Sequence, residues 1–185
     1  MDGMLMKGCL HTHTTCSDGK MSPREVARAY EYLGYDFIAF TDHDYLLKPF
    51  YRDMYDEVET DMIIFTGVEL TVFVKGYIHV NRIEGTSELL HIFNHIGEYD
   101  LSPAQVLERL AELERMFPID AVEITSKGFR DETFENLPIR YPKIASDDAH
   151  GSVGIGRGWI ELDTARDKDS IIRAVKRGEF WNCYI

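Results

Sequence analysis

Two histidines and a carboxylate near the amino terminus have the spacing of metal ligands. His11 and His13 end an apolar run, and Asp18 follows in a Ser-Asp-Gly turn. Residues two apart on a β-strand project from the same face, so the two imidazoles can reach one ion. The turn can fold Asp18 back toward the same point. This segment therefore predicts a metal site built on the end of a strand.

Two further clusters repeat this pattern. Thr41–Asp44 reads Thr-Asp-His-Asp and Ser146–His150 reads Ser-Asp-Asp-Ala-His, and each ends an apolar run. Three strand-terminal clusters of His and Asp in one small chain predict a multinuclear metal site and therefore hydrolysis. Imidazole and carboxylate ligands without thiolate suit Zn, Mn or Fe, and two or three such divalent ions are expected.

The composition narrows the class of protein and its partners. The chain has 185 residues, 44% of them hydrophobic and 28% charged, which indicates one ordinary globular domain. A net charge of -12 argues against duplex nucleic acid, whose phosphates are held by basic clusters. No apolar run is long enough to span a membrane, no signal peptide is recognisable, and the three cysteines have no CxxC spacing. These features predict a cytoplasmic protein without disulfides; they leave its oligomeric state open.

Strand and helix patterns alternate along the chain. Capping patterns start helices at Ser22, running to about Leu33, and at Ser102, running to about Met116. Further helices are predicted at residues 48–60 and at Thr164–Arg177. Extended segments are predicted at Met4–His11, Asp36–Thr41, Met62–Val68, Leu89–His95, Ile119–Thr125, Lys143–Ser146 and Arg157–Leu162, with Thr71–Ile83 as a hairpin or bent strand. This alternation predicts a largely parallel sheet, open or closed.

The candidate ligands lie at one edge of this sheet. His13, His43, Glu69, His95, Glu123 and Asp148 all fall at or just past the ends of predicted strands. In a (β/α) barrel these ends form the face that carries active sites. A regular eight-stranded barrel usually needs about 250 residues, so a smaller or distorted barrel is expected here.

The ordered motifs resemble the PHP superfamily, named for polymerase and histidinol phosphatase. They read HTHTTCSDG from His11, FTDHD from Phe40, GVEL from Gly67, Tyr-Ile-His-Val from Tyr77, Phe-Asn-His from Phe93 and SDDAH from Ser146. The resemblance implies a distorted (β/α)7 TIM-like barrel, and residues 1–185 are expected to form a single such domain without an inserted cap. It also implies three metal positions: one held by His11, His13, Glu69 and Asp148, a second by Glu69, His79 and His95, and a third by Asp18, His43 and His150.

The activity implied by this resemblance is metal-dependent hydrolysis of a phosphomonoester, with a small phosphorylated metabolite or nucleotide as the substrate. A metal-activated hydroxide beside Glu69 would attack phosphorus, and Glu69, Asp148 and His150 are the expected catalytic residues. Two other readings stay open: a phosphodiesterase or exonuclease acting on short single strands, and a non-catalytic metal-binding scaffold.

Several residues beside the motifs invite narrower predictions. Arg157, Lys127 and Arg130 are candidates for binding the substrate phosphate. Asp42, Asp44 and Asp147 are expected to orient neighbouring imidazoles. Glu123 is equally compatible with lining the site and with a structural role. Cys16 is expected to be a small buried filler, and His91 to lie outside the site.

Overall fold

A single nine-stranded sheet dominates the computed structural model, which describes residues 4–185; the first three residues of the predicted domain lie outside this range. A separate two-stranded hairpin is formed by β7 (Thr125–Ser126) and β8 (Phe129–Arg130). The strands of the main sheet are β1 (Met4–Thr12), β2 (Phe37–Phe40), β3 (Ile63–Phe73), β4 (Tyr77–Glu84), β5 (Leu89–Phe93), β6 (Ala121–Glu123), β9 (Lys143–Ile144), β10 (Gly158–Thr164) and β11 (Trp181–Tyr184).

The sheet curls into a nearly closed barrel. Its strand order is β11-β10-β1-β2-β3-β4-β5-β6-β9. The chain leaving β9 returns to β1, where Thr12 bridges Ala149 and the His13 amide donates to the Ala149 carbonyl over 3.0 Å. The predicted distorted barrel is confirmed.

The expectation of a largely parallel sheet is wrong. Strands β1, β2 and β3 are mutually parallel, as are β5, β6 and β9, but β3, β4 and β5 form an antiparallel meander. Strands β10 and β11 also pair antiparallel. Short connections explain the difference, because the turns at residues 74–76 and 85–88 leave no room for crossover helices.

In the described part of the chain, five α-helices accompany the sheet: α1 (Pro23–Tyr32), α2 (Tyr51–Asp56), α3 (Pro103–Leu113), α4 (Glu132–Glu135) and α5 (Lys168–Arg177). Both predicted capping boxes form, at Ser22 with Glu25 and at Ser102 with Gln105. The helix expected at residues 48–60 shrinks to α2. The last helix is capped by Asp167, which accepts from the Ser170 amide, whereas Thr164 ends β10. None of the helices in residues 4–185 has the length and apolar character needed to cross a membrane.

The apolar core occupies the barrel interior below the candidate ligands. Side chains from most strands, among them Leu10, Phe37, Phe65 and Ile92, pack there with residues 171–175 of α5. A second apolar cluster lies under α3 and a third lies under α1 and α2. The polar cluster at the mouth therefore rests on a close-packed floor that limits side-chain movement.

A register shift in β1 decides which way the first ligands point. The pairing with β2 is irregular between Cys9 and Thr12. Because of this irregularity, Leu10 packs in the interior cluster and its neighbour His11 also faces the interior, where its ring contacts Glu123. A regular strand would place consecutive residues on opposite faces. The irregularity thus brings the pair His11 and His13 into the barrel mouth.

Candidate metal centre

Five imidazoles converge on one buried carboxylate, that of Glu69 in the middle of β3. Glu69 is fully buried. Its Oε1 atom lies 3.4 Å from His11 Nε2, 3.3 Å from His79 Nδ1 and 3.2 Å from His95 Nε2. Its Oε2 atom lies 3.2 Å from His13 Nε2 and 3.0 Å from His43 Nδ1. Glu69 therefore has the position of a ligand shared between several ions.

Two more carboxylates and a sixth imidazole complete the cluster. Asp148 Oδ1 lies 3.1 Å from His13 Nε2 and 3.3 Å from His11 Nε2. Asp18 Oδ2 lies 3.5 Å from His150 Nε2 and 3.7 Å from His43 Nε2. All nine predicted metal ligands are thus brought together at the barrel mouth.

The nine side chains form four overlapping groups that could each hold a metal ion. The groups are His13, Asp18, His43 and His150; His11, Glu69 and His95; His11, His13 and Asp148; and His43, Glu69 and His79. They differ in detail from the three sets implied by the family resemblance, because His13 also approaches Asp18 and His11 also approaches His95. The sharing of His11, His13, His43 and Glu69 between groups is what a compact multinuclear centre requires.

The donor set fits divalent cations on a structural criterion. Buried polar atoms in proteins are almost always hydrogen-bonded. Within residues 4–185, five buried atoms facing this cluster have no hydrogen-bond partner: His13 Nδ1, His43 Nδ1, Glu69 Oε2, His79 Nδ1 and Asp148 Oδ1. These atoms converge at short range without the alignment of hydrogen bonds. Metal coordination would satisfy all five, and the mixture of nitrogen and oxygen donors suits Zn, Mn or Fe.

Local backbone geometry holds several ligands in place. The turn after β1 is closed by Ser17 and Gly19 amides that both donate to the Thr14 carbonyl, which carries Asp18 toward His13. A Cβ at Gly19 would lie 2.6 Å from the Thr14 nitrogen, so glycine is required there. His95 and Asp148 adopt positive φ angles of 28° and 48°. Non-glycine residues rarely do so, and such strain concentrates at functional sites.

Three residues that sequence reasoning did not assign to the site support its ligands. Asn94 Nδ2 donates to Glu69 Oε1 over 2.8 Å and to the Asn81 side chain. Asn81 in turn donates to the Leu10 carbonyl. Tyr99 accepts the His79 amide at its hydroxyl and packs beside the His95 ring. Asn94 stands next to His95 in the Phe-Asn-His motif, which was the available signal for its role.

The ambiguity at Glu123 is resolved by its contacts. Glu123 Oε2 lies 2.8 Å from His11 Nδ1 and also accepts the His95 amide over 3.0 Å. This carboxylate orients two candidate ligands and leaves the other His11 nitrogen, Nε2, facing the metal cluster.

The predicted imidazole-orienting role of three aspartates is wrong. Asp42 binds the loop after β1 instead, accepting from the Thr14 amide and hydroxyl, the Ser17 hydroxyl and the Tyr55 hydroxyl. Asp44 accepts the Thr71 amide of β3. Asp147 contacts the loop before β10, as described below. Loop closure in each case takes the carboxylate oxygens that an imidazole would need.

Two further expectations concern residues beside the site. Cys16 is buried in the apolar cluster under α1, with its sulfur 3.6 Å from that of Met54. His91 lies on β5 away from the ligands, with Nδ1 3.9 Å from Asp120 Oδ2 and its ring beside Phe117. Both placements agree with the sequence predictions.

The charges of the cluster shift its pKa values in opposite directions. Burial opposes protonation of His13, but Asp148 and Glu69 outweigh it and raise the pKa of His13 to about 9. The pKa of His11 and that of His95 are also raised, burial again being outweighed by the carboxylates. Burial disfavours the Glu69 anion, yet the imidazoles hold the pKa of Glu69 well below its usual range. In the metal-free cluster these charges therefore favour the protonated forms of His11, His13 and His95 and the ionised form of Glu69.

An open cleft with basic residues adjoins the cluster. It has a volume of about 710 Å³ and is lined by Asp148 and His150 together with Lys20, Lys127 and Arg157. Lys20 is tied to the site because its amide donates to the His150 carbonyl over 2.8 Å. These three cations stand beside three carboxylates of the same cleft, Asp18, Asp147 and Asp148, in a chain whose net charge is -12. Lys20 is a basic residue that sequence reasoning did not single out.

The predicted phosphate-binding residues fall into two places. Lys127 and Arg157 line the cleft, with the Arg157 guanidinium 4.6 Å from the centre of the Phe129 ring. Arg130 is not among the residues that line this cleft. Its guanidinium bonds Glu135 over 2.7 Å and lies over the Tyr184 ring, so the structure does not bring it to the candidate ligands.

The loop carrying Arg157 is built on Asp147. Asp147 Oδ1 accepts the amides of Arg157 and Gly158, and Oδ2 accepts the Gly156 amide and the Tyr30 hydroxyl, all within 2.9 Å. This buried carboxylate therefore fixes the loop backbone that presents Arg157 beside the metal cluster.

Comparison with known proteins matches this chain to one family model and to several solved structures of the same fold. The family model of the PHP domain matches residues 10–132, well over half of the chain. A two-domain protein from Bacteroides vulgatus ATCC 8482, which contains a predicted PHP-like metal-dependent phosphoesterase, superposes with a TM-score of 0.73 at 17% identity. The match covers 98% of this chain and 65% of that protein, just under two thirds of its length.

Two other relatives are similar over different extents. A proposed metal-dependent phosphoesterase from Bifidobacterium adolescentis has a TM-score of 0.62 at 14% identity, covering 78% of this chain and 88% of that one. The DNA polymerase/3'-5' exonuclease PolX of Bacillus subtilis (strain 168) is 51% identical over 43 residues, which are 23% of this chain and 8% of PolX. The structural neighbours share the fold, and the PolX match is local.

Proposed function

This chain belongs to the PHP domain family, and we propose on that premise that it hydrolyses the phosphomonoester of a small metabolite or nucleotide. The observation that carries the proposal is the convergence of unpaired ligand atoms on Glu69, with a cleft beside it that carries three cationic side chains. Divalent ions bound there would supply a water of lowered pKa and would neutralise charge on the phosphate oxygens. Two or three ions of Zn, Mn or Fe type match the donor set.

The chain's own residues then have distinct tasks. Glu69 is held ionised and is fixed by Asn94, so it can bridge ions without turning away. Asp148 lies between the His11 and His13 rings and the open cleft, where its carboxylate can hold the attacking water in line with phosphorus. The Asp148 carboxyl is also ionised at neutral pH because, although burial opposes this, the nearby imidazoles lower its pKa.

His150 is the candidate for handling the leaving-group proton. It is less buried than the other imidazoles near Glu69 and lines the cleft, and its ring stacks on His13 with centroids 4.0 Å apart. Burial and the neighbouring His13 lower the pKa of His150, so it is neutral at pH 7. Its Nδ1 lies 3.0 Å from the Asp148 carbonyl, which leaves Nε2 able to accept the proton released by the attacking water and to pass it to the leaving oxygen.

The cleft supplies the means of holding the substrate phosphate. Arg157 offers a planar guanidinium suited to two phosphate oxygens, while Lys20 and Lys127 add point charges. The partner implied by this arrangement is a small anion that reaches the cleft from solvent. We do not expect duplex nucleic acid or a membrane as partners, since the charge of -12 repels both kinds of anionic surface. We place the reaction in the cytoplasm, in keeping with three free cysteines.

A second candidate function is phosphodiester cleavage at the end of a short single strand. The local match to the B. subtilis polymerase and exonuclease favours it. Binding to oligonucleotides that weakens steeply with salt would support this candidate.

The test is phosphate release from phosphomonoesters and short diesters by protein loaded separately with Mn, Zn or Fe. The key variant is Glu69→Gln, which preserves shape while removing the charge that links the ions. His91→Ala is the matched control, because this histidine lies outside the site. Metal-dependent release that persists in the control and falls at least 100-fold in Glu69→Gln would support the proposal. Absence of release from every ester at a confirmed metal load would reject it.

A further inference from the structure

On the hairpin of β3 and β4, pairs of side chains continue outward from the metal cluster along one face. Its pairing runs without interruption from Thr66 opposite Glu84 to Phe73 opposite Tyr77. Side chains two residues apart share a face, so Glu69 and Asn81 form one rung, Thr71 and His79 the next, and Phe73 and Tyr77 the third. The rung after the His79 ligand is therefore aromatic on both strands.

The opposite face of the hairpin is accounted for by packing. Val72, Ile78 and Val80 are buried in the apolar cluster that includes Val106 and Leu110 of α3. The alternation of this strand pair thus leaves Phe73 and Tyr77 on the face that bears Glu69 and His79. Apolar packing under α3 explains the first face but not the aromatic rung.

Both rings of this rung are open to solvent. Phe73 is 66% exposed and Tyr77 is 72% exposed, and their rings meet edge to face with centroids 5.3 Å apart. Two adjacent, exposed aromatic rings offer a stacking surface next to the ligand residues. Along the strand they stand about 7 Å beyond the His79 rung.

A third exposed ring lies at the same side of the mouth. Tyr45 is 64% exposed, and its ring centroid lies 5.3 Å from that of His43. Its loop is fastened to the hairpin because the Thr71 amide donates to Asp44 Oδ2 over 3.2 Å. In the strand order, β3 and β4 are separated by other strands from β1, β9 and β10, whose loops carry the basic cleft. The mouth therefore has aromatic rings on one side, whereas the other side carries Lys20, Lys127 and Arg157 next to the carboxylates of Asp18, Asp147 and Asp148.

We propose that Phe73, Tyr77 and Tyr45 form a platform that stacks the base of a nucleoside monophosphate. This inference rests on the proposed function and names its substrate class. With the phosphate at the metal ligands, a pentose can bridge the separation of about 7 Å to the aromatic rung. Base stacking on aromatic side chains tolerates any base, so the platform selects a nucleotide without reading its identity.

The charge distribution favours a free mononucleotide over the end of a longer strand. The cationic side chains identified at the mouth, Lys20, Lys127 and Arg157, line the cleft opposite the platform. Past the platform, Phe73 borders Lys75 and Arg115, but these two cations are paired with Glu108 and Glu112. Additional phosphates would therefore find no unpaired cation among the residues that border Phe73 there. A mononucleotide places its single phosphate at the metal ligands and its base on the aromatic platform, and so contacts both sides of the mouth.

The test compares two esters that differ by the base alone, adenosine 5'-monophosphate and ribose 5-phosphate, with metal-loaded wild type and a Phe73→Ala/Tyr77→Ala double variant. The wild type should prefer the nucleotide in kcat/KM by about tenfold or more, mainly through KM. The double variant should lose this preference while turning over ribose 5-phosphate as before. Tyr32→Ala, which removes an exposed ring on α1, is the matched control. Phe73→Tyr and Tyr77→Phe should both retain the preference.

A binding measurement separates this inference from the proposed function. Saturation-transfer NMR with adenosine, which has no phosphate, should detect contact in the wild type and lose it in the double variant. Turnover of ribose 5-phosphate with no preference for the nucleotide would overturn the platform and leave the phosphoesterase intact. No turnover of either ester would reject the proposed function for both substrates, and the adenosine contact would then decide the platform by itself. A change of oligomeric state in the double variant, with adenosine contact unchanged, would assign the rings to a second copy of the chain and overturn the proposal.

Discussion

His11 and Glu123 form a buried pair in which the ring Nδ1 lies 2.8 Å from the carboxylate Oε2. The carboxylate accepts the Nδ1 proton, so Nε2 is the ring nitrogen that faces the metal cluster. Such carboxylate–histidine pairs fix the tautomer of a ligand and raise its basicity. Glu123 thus connects the floor of the barrel to two of the candidate ligands.

We predict that Glu123→Gln weakens metal binding by about 10- to 100-fold while the fold is retained. The neutral amide still accepts the His11 proton but no longer stabilises positive charge on the ring. Isothermal titration with Mn or Zn would measure the affinity, and circular dichroism would check the fold. An unchanged affinity would mean that Glu123 has a structural role alone.

Metal binding should release protons at neutral pH. His13 has a pKa of about 9 in the metal-free protein and must lose its proton to become a ligand. Apparent metal affinity should therefore rise between pH 6 and about 9 and flatten above that value. Titrations at pH 7 in two buffers of different ionisation enthalpy would give different heats. Equal heats would show that the imidazoles are already neutral.

The metal-free protein should lose stability as the pH rises. The folded-state pKa of His13 lies above its ordinary value of 6.5, so its stabilising contribution is complete below 6.5 and disappears as pH rises through about 9. Glu69 behaves in the opposite way, because its lowered pKa contributes stability above 4.5 that is lost on acidification. Urea midpoints of chelator-treated protein should decline from pH 6.5 to 9, whereas those of metal-loaded protein should not. A flat profile without metal would contradict the charge network.

Asp147→Asn should impair substrate binding more than the chemical step. The carboxylate holds three amides of the loop that presents Arg157, and an amide nitrogen at the same place would repel one of them. We expect KM to rise about tenfold with a smaller change in kcat and an unchanged metal content. Adding Arg157→Ala to this variant should have little further effect, since both changes remove the same phosphate contact. Fully additive effects would separate Asp147 from Arg157.

Asn182 should be important for closing the barrel. Its Oδ1 accepts the Ala145 amide and its Nδ2 donates to the Lys143 carbonyl, each over 2.8 Å, so this side chain joins β11 to β9. Asn182→Ala should lower the free energy of unfolding by about 1–3 kcal/mol in urea denaturation. Asn182→Asp retains the acceptor and should give an intermediate loss. An Asn182→Ala protein as stable as the wild type would show that other contacts hold β11 against β9.

The residue types and local spacing of this chain were enough to predict its chemistry. His11 with His13, the Asp18 turn, and the His and Asp clusters around His43 and Asp148 signal metal binding because those side chains are neighbours in the sequence. The capping boxes at Ser22 and Ser102 are equally local, and both form as predicted. The order of the motifs predicted the barrel, because that order resembles the one in a known family.

Only the tertiary structure decided which of these groups meet and what the remaining polar residues do. Glu123 lies 112 residues from His11, and Asp147 could not be assigned to the Arg157 loop before that loop was folded against it. Strand register between distant segments decides the antiparallel meander and the aromatic rung of Phe73 and Tyr77. It also decides the contact by which Asn182 joins β11 to β9. Local patterns determine which side chains can bind a metal, whereas close packing of the whole chain determines their neighbours.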